Sequence, residues 1–352
     1  MKFKEAVTYD DMLMVPRYSN IESRNEVDIG SDLSFDIRLS LPVIASPMDT
    51  VSESRMARAM GAAGGVAVLH RYNTIQEQVS LVQESILGVP VHNRLTHPIA
   101  AAIGVTGDCM ERAAELVAAG VDILCVDVAH GHHILMKKAL EHLSEEYNNS
   151  IHIMAGNVCT LEGVNDLADW GAHSVRCNIG GGSICSTRLV TGHGLPGLQT
   201  IFDCARTDRD VSIIADGGIK TSGDIVKALA AGADFVMCGS LLAGTDESPG
   251  QTINLPDGSR AKEYRGMASK DAQLDWRNKS STPEGVASYI PHKGSVVDIL
   301  RDLEGGIRSG FSYTGARTLT ELRNKVEWVR QTSAGTHESN THILSTQNAR
   351  RK

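Results

Sequence analysis

The stretch Gly180-Gly181-Gly182-Ser183-Ile184-Cys185 carries the densest chemistry in the chain. Three successive glycines let a backbone turn sharply and aim its amides or carbonyls to one side. Such a turn can cradle a phosphate with N–H groups or a monovalent cation with carbonyls; the alternative is a plain surface loop. Cys185 follows the turn. A thiolate there could attack an electron-poor ring carbon, whereas a core cysteine is an inert small hydrophobe. Thr187, two residues on, has a hydroxyl for an attacking or leaving group, or for capping a helix.

Two more glycine steps, Gly217-Gly218 and Gly239-Ser240, follow apolar runs. Loops of this kind hold a phosphate through amides and a hydroxyl, or are simply tight turns. With Ser183 they make three loops that could converge on one phosphate. Asp216 and Asp127 each end an apolar run and could accept hydrogen bonds from ribose diols, or could cap their own turns. His130, His132 and His133 cluster in sequence, but no carboxylate or cysteine completes a metal set beside them.

These residues need a scaffold that brings separate loops together. Eight short apolar runs read as buried strands, at 41–46, 65–69, 99–105, 121–126, 151–155, 173–177, 211–215 and 234–238. Amphipathic, Ala-rich stretches lie between them, at 52–63, 75–87, 108–119, 133–147, 161–170 and 221–231. Eight strands each followed by a helix predict an α/β fold, a (β/α)8 TIM barrel, in preference to an open doubly wound sheet. An open sheet usually begins with a Gly-rich nucleotide turn, which is missing here. Barrel chemistry sits on the loops after the strands, which is where the polar and glycine residues concentrate. Residues 246–294 are polar, hold Pro, Gly and Ser and lack helical period, which predicts a long flap after strand eight. A last helix is expected near 296–309. The expected organisation is one catalytic barrel over 1–334, flap included, and a polar tail over 335–352, either disordered or docked on a neighbouring subunit.

The net charge of −8 leaves no basic field for a polyanion, so nucleic acid is not an expected partner. No apolar run is long enough to cross a membrane, and the N-terminus lacks a signal-peptide block. Seven cysteines, without a CxxC pair, indicate neither a zinc cage nor a disulfide framework. A reducing, cytoplasmic location is expected.

The chain resembles the inosine-5′-monophosphate dehydrogenase / guanosine-5′-monophosphate reductase family from Thr8-Tyr9-Asp10-Asp11-Met12 to Glu338. The resemblance rests on SPMDTV at 46–51, MAGNV at 154–158, GSICSTR at 182–188, ADGGI at 215–219, GSLLAGTDESPG at 239–250, YRGM at 264–267 and YTGA at 313–316. It implies a homotetramer, possibly an octamer, that binds a purine nucleotide monophosphate. Cys185 would form a covalent adduct at purine C2, with Thr187, Glu284 and Arg277 handling protons and water. Ser46, Met48, Asn157, Arg176, Ser183, Asp216, Gly217, Gly218, Gly239, Ser240, Tyr264, Gly266, Met267 and Glu284 would bind the nucleotide. Asp127, Val128, Ala129, Asn178 and Gly180 would meet the nicotinamide cofactor. Carbonyls of Gly180, Gly182 and Cys185 would hold a potassium ion, completed by Glu338, Ser339 and Asn340 of a neighbour.

Both family reactions share the thioimidate. SPMDTV, GTDESPG and the His337-Glu338-Ser339 tail look like the dehydrogenase side, which implies NAD-dependent oxidation of IMP to XMP. The alternatives are NADPH-dependent reduction of GMP to IMP and ammonia, or a catalytically weak nucleotide-binding barrel. Several positions depart from the family pattern. Asn178 stands where glycine is common, Gly181 where proline or serine is common, and Ala268 replaces a glycine after YRGM. The flap arginine, Arg277, is followed by Asn278 where the family has tyrosine. These departures bear on water activation more than on nucleotide binding. Only residues 88–98 bridge the point where the family's dehydrogenases insert a paired regulatory (CBS) module, so regulation through one is not expected.

Overall fold

A computed structural model describes residues 3–34, 37–87, 89, 96–147, 150–279 and 281–340. The bridge at 88–98 falls largely outside them, as does the tail beyond 340.

All eight expected strands form, and they close on one another. In chain order they are Val43–Ala45, Val66–Leu69, Ala100–Ile103, Ile123–Asp127, His152–Val158, Ser174–Cys177, Ser212–Asp216 and Phe235–Cys238. Each pairs in parallel with the next, and the eighth returns to the first with Val236 opposite Val43. The closed parallel barrel with helices between its strands is a (β/α)8 barrel. It has no free edge to cover.

Alternation along the strands fills two cores. Ile44, Val66, Val68, Ile123, Met154, Ile214 and Phe235 pack inside the barrel. Their neighbours in sequence, such as Val43, Ala45, Ala67 and Val236, face the helical shell. Fully burying a side chain such as Ile44 or Phe235 stabilises the fold by about 1.5–3 kcal/mol. A small antiparallel pair, Ser31–Asp32 with Arg38–Leu39, brings Leu33, Ile37 and Leu39 into the interior core.

Three elements differ from the sequence expectation. The flap is not featureless: Ile253–Asn254, Arg260–Arg265 and Ala287–Pro291 form an antiparallel sheet, and Lys270–Arg277 is a helix. Eight residues give too few turns for a periodic signal, but the caps are legible. The Ser269 hydroxyl accepts from the Ala272 amide, and Asn278 ends the helix in the left-handed conformation. The last barrel helix runs over Val296–Thr314, past the expected stop near 309. Its glycines are close-approach residues: a Cβ at Gly306 would meet Ser222 Oγ at 2.2 Å and one at Gly310 would meet Val226 Cγ2 at 2.7 Å. Helix Ser333–Glu338 runs across position 335 and packs on the chain's own N-terminal turn, where Thr336 Oγ1 donates to the Asp10 carbonyl at 3.2 Å.

Candidate active site

Two adjoining cavities of about 470 and 210 Å³ open at the C-terminal ends of the strands. Between them they are lined by every residue named from the sequence for catalysis, nucleotide or nicotinamide, from Ser46 to Glu284. Cys185, Thr187, Asp216, Gly217, Met48, Met267 and Glu284 border both. Glu338, Ser339 and Asn340 border neither.

Cys185 is the one exposed cysteine; the other six are buried or half-buried. Burial pushes the Cys125 thiol up to about 11 and the Cys238 thiol up to about 12, so both are inert. The Cys185 thiol donates to Thr187 Oγ1 at 3.2 Å. Thr187 does not cap the short helix Thr187–Thr191; Ser186 stands at that position. The Thr187 hydroxyl is thereby left for chemistry. The catalytic turn is also tied to the base of the flap. Cys185 bridges Gly285, the Ser186 amide donates to the Glu284 carbonyl at 3.0 Å, and the Val286 amide donates to the Ile184 carbonyl at 3.0 Å. This pairing brings Glu284, nearly a hundred residues away in sequence, to the thiol.

The smaller cavity suits a phosphate. Ser183, Gly217, Gly218, Gly239 and Ser240 line it from three loops, and Tyr264 closes it from the flap sheet. A side chain at Gly239 would crowd the cavity: a Cβ there would lie 2.8 Å from Tyr264 Oη and 3.3 Å from Met48 Sδ. Burial raises the pKa of the Tyr264 phenol, with a hydrogen bond to Ser183 opposing it, so the group stays a neutral donor near pH 7.

A buried arginine organises the floor of the larger cavity. Arg176 donates to Asp216 Oδ2 from Nε at 3.1 Å and Nη2 at 2.9 Å, and to Asp127 Oδ1 from Nη1 at 2.6 Å. Asn157 Nδ2 adds a fourth contact, on Asp216 Oδ2 at 2.9 Å. All the hydrogen bonds described for the Asp216 carboxylate fall on Oδ2, which leaves Oδ1 for a diol. Arg176 is thus a buried counter-charge between the two carboxylates. Losing it would leave two carboxylates facing each other, a change that costs about 3–5 kcal/mol in buried pairs.

Asn178, expected to meet the cofactor, lines the larger cavity, and its side-chain amide is hydrogen-bonded into the fold. Nδ2 donates to the Asp216 carbonyl at 2.9 Å, and Oδ1 accepts from Arg188 Nη2 at 3.2 Å. Its φ of 135° is a glycine conformation, and holding another residue there costs about 1–3 kcal/mol.

The flap helix Lys270–Arg277 roofs the larger cavity. Arg265 Nη1 donates to Asp275 Oδ2 on that helix at 2.5 Å, while its Nη2 donates to Asp49 Oδ2 at 2.7 Å. The Trp276 ring stacks on Tyr72 at 5.8 Å and 18°. Arg277 and Gln273 line the cavity with Cys185. Sequence reasoning missed Arg71 and Tyr72, which follow the second strand directly. The signal was available: they occupy a strand-to-helix loop at the catalytic end, as the named residues do.

The histidines go elsewhere. His132 Nε2 lies 2.7 Å from Asp166 Oδ2, and His133 Nδ1 accepts from the Leu135 amide.

A family model for the IMP dehydrogenase / GMP reductase domain matches residues 6–342. The chain belongs to the IMP dehydrogenase / GMP reductase family. Its similarity divides between the two branches. The inosine-5′-monophosphate dehydrogenase of Nitrosopumilus maritimus (strain SCM1) is 33% identical, with 97% of this chain and 99% of that protein covered. The GMP reductase of Leishmania major is also 33% identical, with 97% of each covered. A crystal structure of a cysteine-to-alanine variant of GMP reductase from Trypanosoma brucei, in complex with guanosine 5′-monophosphate, superposes with a TM-score of 0.90. It is 32% identical and covers 97% of this chain and 98% of its own. The dehydrogenase alignment runs over 473 positions, more than the 352 residues here, so that family member contains residues with no counterpart in this chain.

Proposed function

We propose that this family member oxidises inosine 5′-monophosphate to xanthosine 5′-monophosphate with NAD through a thioimidate at Cys185. The phosphate binds between Ser183, Gly218 and Ser240, and the ribose diol meets Asp216. Met48 and Met267 flank the base. The Cys185 thiol loses its proton and its sulfur bonds to purine C2. NAD, when bound, accepts the hydride that leaves C2. Water then adds at C2, the C–S bond breaks and the thiol is restored; Thr187, Glu284 and Arg277 move the protons. The observation that carries this reading is Arg277, held on the flap helix in the wall of the same cavity as Cys185 and Glu284. A hydrolytic step needs a water-activating group there, and a reductive one does not.

The larger cavity shares Arg71, Val128 and Arg277 with a third, formed by Gly104–Asp108 and Trp276. That groove, lined by Arg71, Arg112 and Arg277, fits an anionic dinucleotide extending away from Cys185. The glycine turn offers only oxygen donors, which suit a potassium ion. Carbonyls of Gly180, Gly182 and Cys185 would hold it, with Glu338, Ser339 and Asn340 of a second copy, since within one chain those three border neither cavity at the glycine turn. This ligand set fits a homotetramer. No helix among the described residues is long and apolar enough to cross a membrane, and we place the enzyme in the cytoplasm.

The second reading is reduction of GMP to IMP and ammonia with NADPH. The Cys185–Thr187 contact beside Glu284 favours it, because that trio can protonate a leaving amine without Arg277. Purified protein assayed with IMP plus NAD, and separately with GMP plus NADPH, decides between them. Turnover confined to the second pair overturns the first reading.

A further inference from the structure

We infer that Asn178 and Gly181 are a coupled pair that sets the position of Cys185, with the Asn178 side chain as the positioning residue. The inference rests on Cys185 being the reacting thiol and holds for either reaction.

Asn178 is buried and has its amide occupied at both ends. Nδ2 reaches the Asp216 carbonyl at 2.9 Å and the Gly217 carbonyl at 3.4 Å, and Oδ1 accepts from Arg188 at 3.2 Å. Its backbone is held as well: its amide donates to the Val158 carbonyl at 2.8 Å, and its carbonyl accepts from Asn157 at 2.9 Å. The side chain therefore clamps the start of the glycine turn to the loop after strand seven.

The clamp fills the space that a side chain at 181 would need. A Cβ on Gly181 would lie 2.0 Å from Asn178 Nδ2, 2.8 Å from Cγ and 2.9 Å from Oδ1. An unanchored amide could swing aside, but this one would have to give up three hydrogen bonds. The turn itself is stacked on Gly217 and Gly218. A Cβ at 217 would come within 3.2 Å of the Gly182 amide nitrogen, and one at 218 within 3.3 Å of the Gly181 carbonyl. Any shift at 181 therefore passes into Gly182. The Gly182 carbonyl accepts from the Cys185 amide at 3.1 Å, so the shift reaches the thiol. The same geometry explains two departures from the family pattern at once. A side chain at 178 and its absence at 181 are one change.

The test is a cycle of Gly181→Ser, Asn178→Gly and the double variant in the full chain. Three quantities are measured: the rate of Cys185 alkylation by iodoacetamide, with Cys185→Ser as the background; turnover; and the melting temperature. Contacting residues that act together show non-additive effects of about twofold to a hundredfold. Gly181→Ser is expected to lower turnover at least about tenfold and to change the alkylation rate at least about threefold. Adding Asn178→Gly, which removes the obstructing amide, is expected to bring both back to within about threefold of Asn178→Gly alone. If Gly181→Ser fails to fold and the double variant folds, the coupling stands. Native turnover and alkylation in Gly181→Ser, or a double variant no better than Gly181→Ser, overturns the proposal. So does a cycle in which only the melting temperature moves. Alkylation needs neither nucleotide nor dinucleotide, so an error in the proposed reaction would leave this result readable.

Discussion

The Cys185 thiol donates a hydrogen bond to the Thr187 hydroxyl at 3.2 Å, from a turn that is itself bridged to the flap segment Glu284-Gly285. In the proposed reaction, nucleophile and proton path are thereby built into one loop. General acid–base groups contribute about 10²–10⁴-fold to rate. Thr187→Val keeps the shape of the side chain and removes the proton path. Turnover should fall at least about a hundredfold while nucleotide affinity stays within about threefold. A fall in affinity as large as the fall in turnover would assign Thr187 to binding instead.

Arg277 should separate the two halves of the reaction. It lines the cavity with Cys185, and its charge, with that of Arg71, opposes the rise that burial causes in the Tyr72 phenol. In Arg277→Ala, hydride transfer should proceed near the native rate while hydrolysis slows at least about tenfold. Stopped-flow absorbance of the reduced dinucleotide would then show a burst of about one equivalent per site followed by slow turnover. An equal slowing of both phases would remove Arg277 from water activation.

How much of this was readable from sequence follows from which interactions are local. The eight strands were legible because buried parallel strands are near-continuous apolar runs, and the (β/α)8 barrel follows from their count. The glycine turn, the strand-end residues Asp127 and Asp216 and the loop residue Ser240 were legible as candidates because barrel chemistry sits at the C-terminal strand ends and the loops that follow. The Arg176 bridge between Asp127 and Asp216 was not, because it joins three strands through side chains alone. The flap helix was hidden by its eight-residue length, and the extension of the last helix by glycines kept for packing rather than for turning. The inward turn of Asn178 was hidden because it depends on a space that only the folded loop creates.

Gly239 tests the proposed phosphate cavity without touching the thiol. Its missing side chain is what lets Tyr264 Oη, Met48 and Ser46 approach one another. In Gly239→Ala the methyl group must push one of them away. Nucleotide affinity should fall about ten- to a hundredfold, as expected when a buried, hydrogen-bonded anion site is distorted. The melting temperature should drop by no more than a few degrees, since overpacking at one site costs about 1–3 kcal/mol. Calorimetric titration with the monophosphate and with the corresponding nucleoside distinguishes the cause. The loss should be confined to the monophosphate, and an equal loss for both would place the damage at the base.

At the other end of the barrel, His152 sets an acid limit on stability. It is fully buried, with Nδ1 2.6 Å from Ser34 Oγ, Nε2 2.8 Å from Ser174 Oγ, and the His173 ring 5.5 Å away. Burial, helped by His173, lowers its pKa from 6.5 to about 3, so the fold holds the neutral ring. A base whose folded value is lowered contributes stability that is complete above about 6.5 and lost as pH falls from there toward 3. Over that window each pH unit should remove up to about 1.4 kcal/mol through this group. His152→Asn should be less stable at pH 7.5, because it leaves a void and disturbs two hydrogen bonds. Its urea midpoint should nonetheless fall less steeply between pH 6.5 and 4.5 than that of the native chain. His173 and the carboxylates remain in both proteins, so the difference in slope isolates His152. Parallel slopes would show that His152 takes up its proton equally in the folded and unfolded states, and the buried neutral ring would have to be given up.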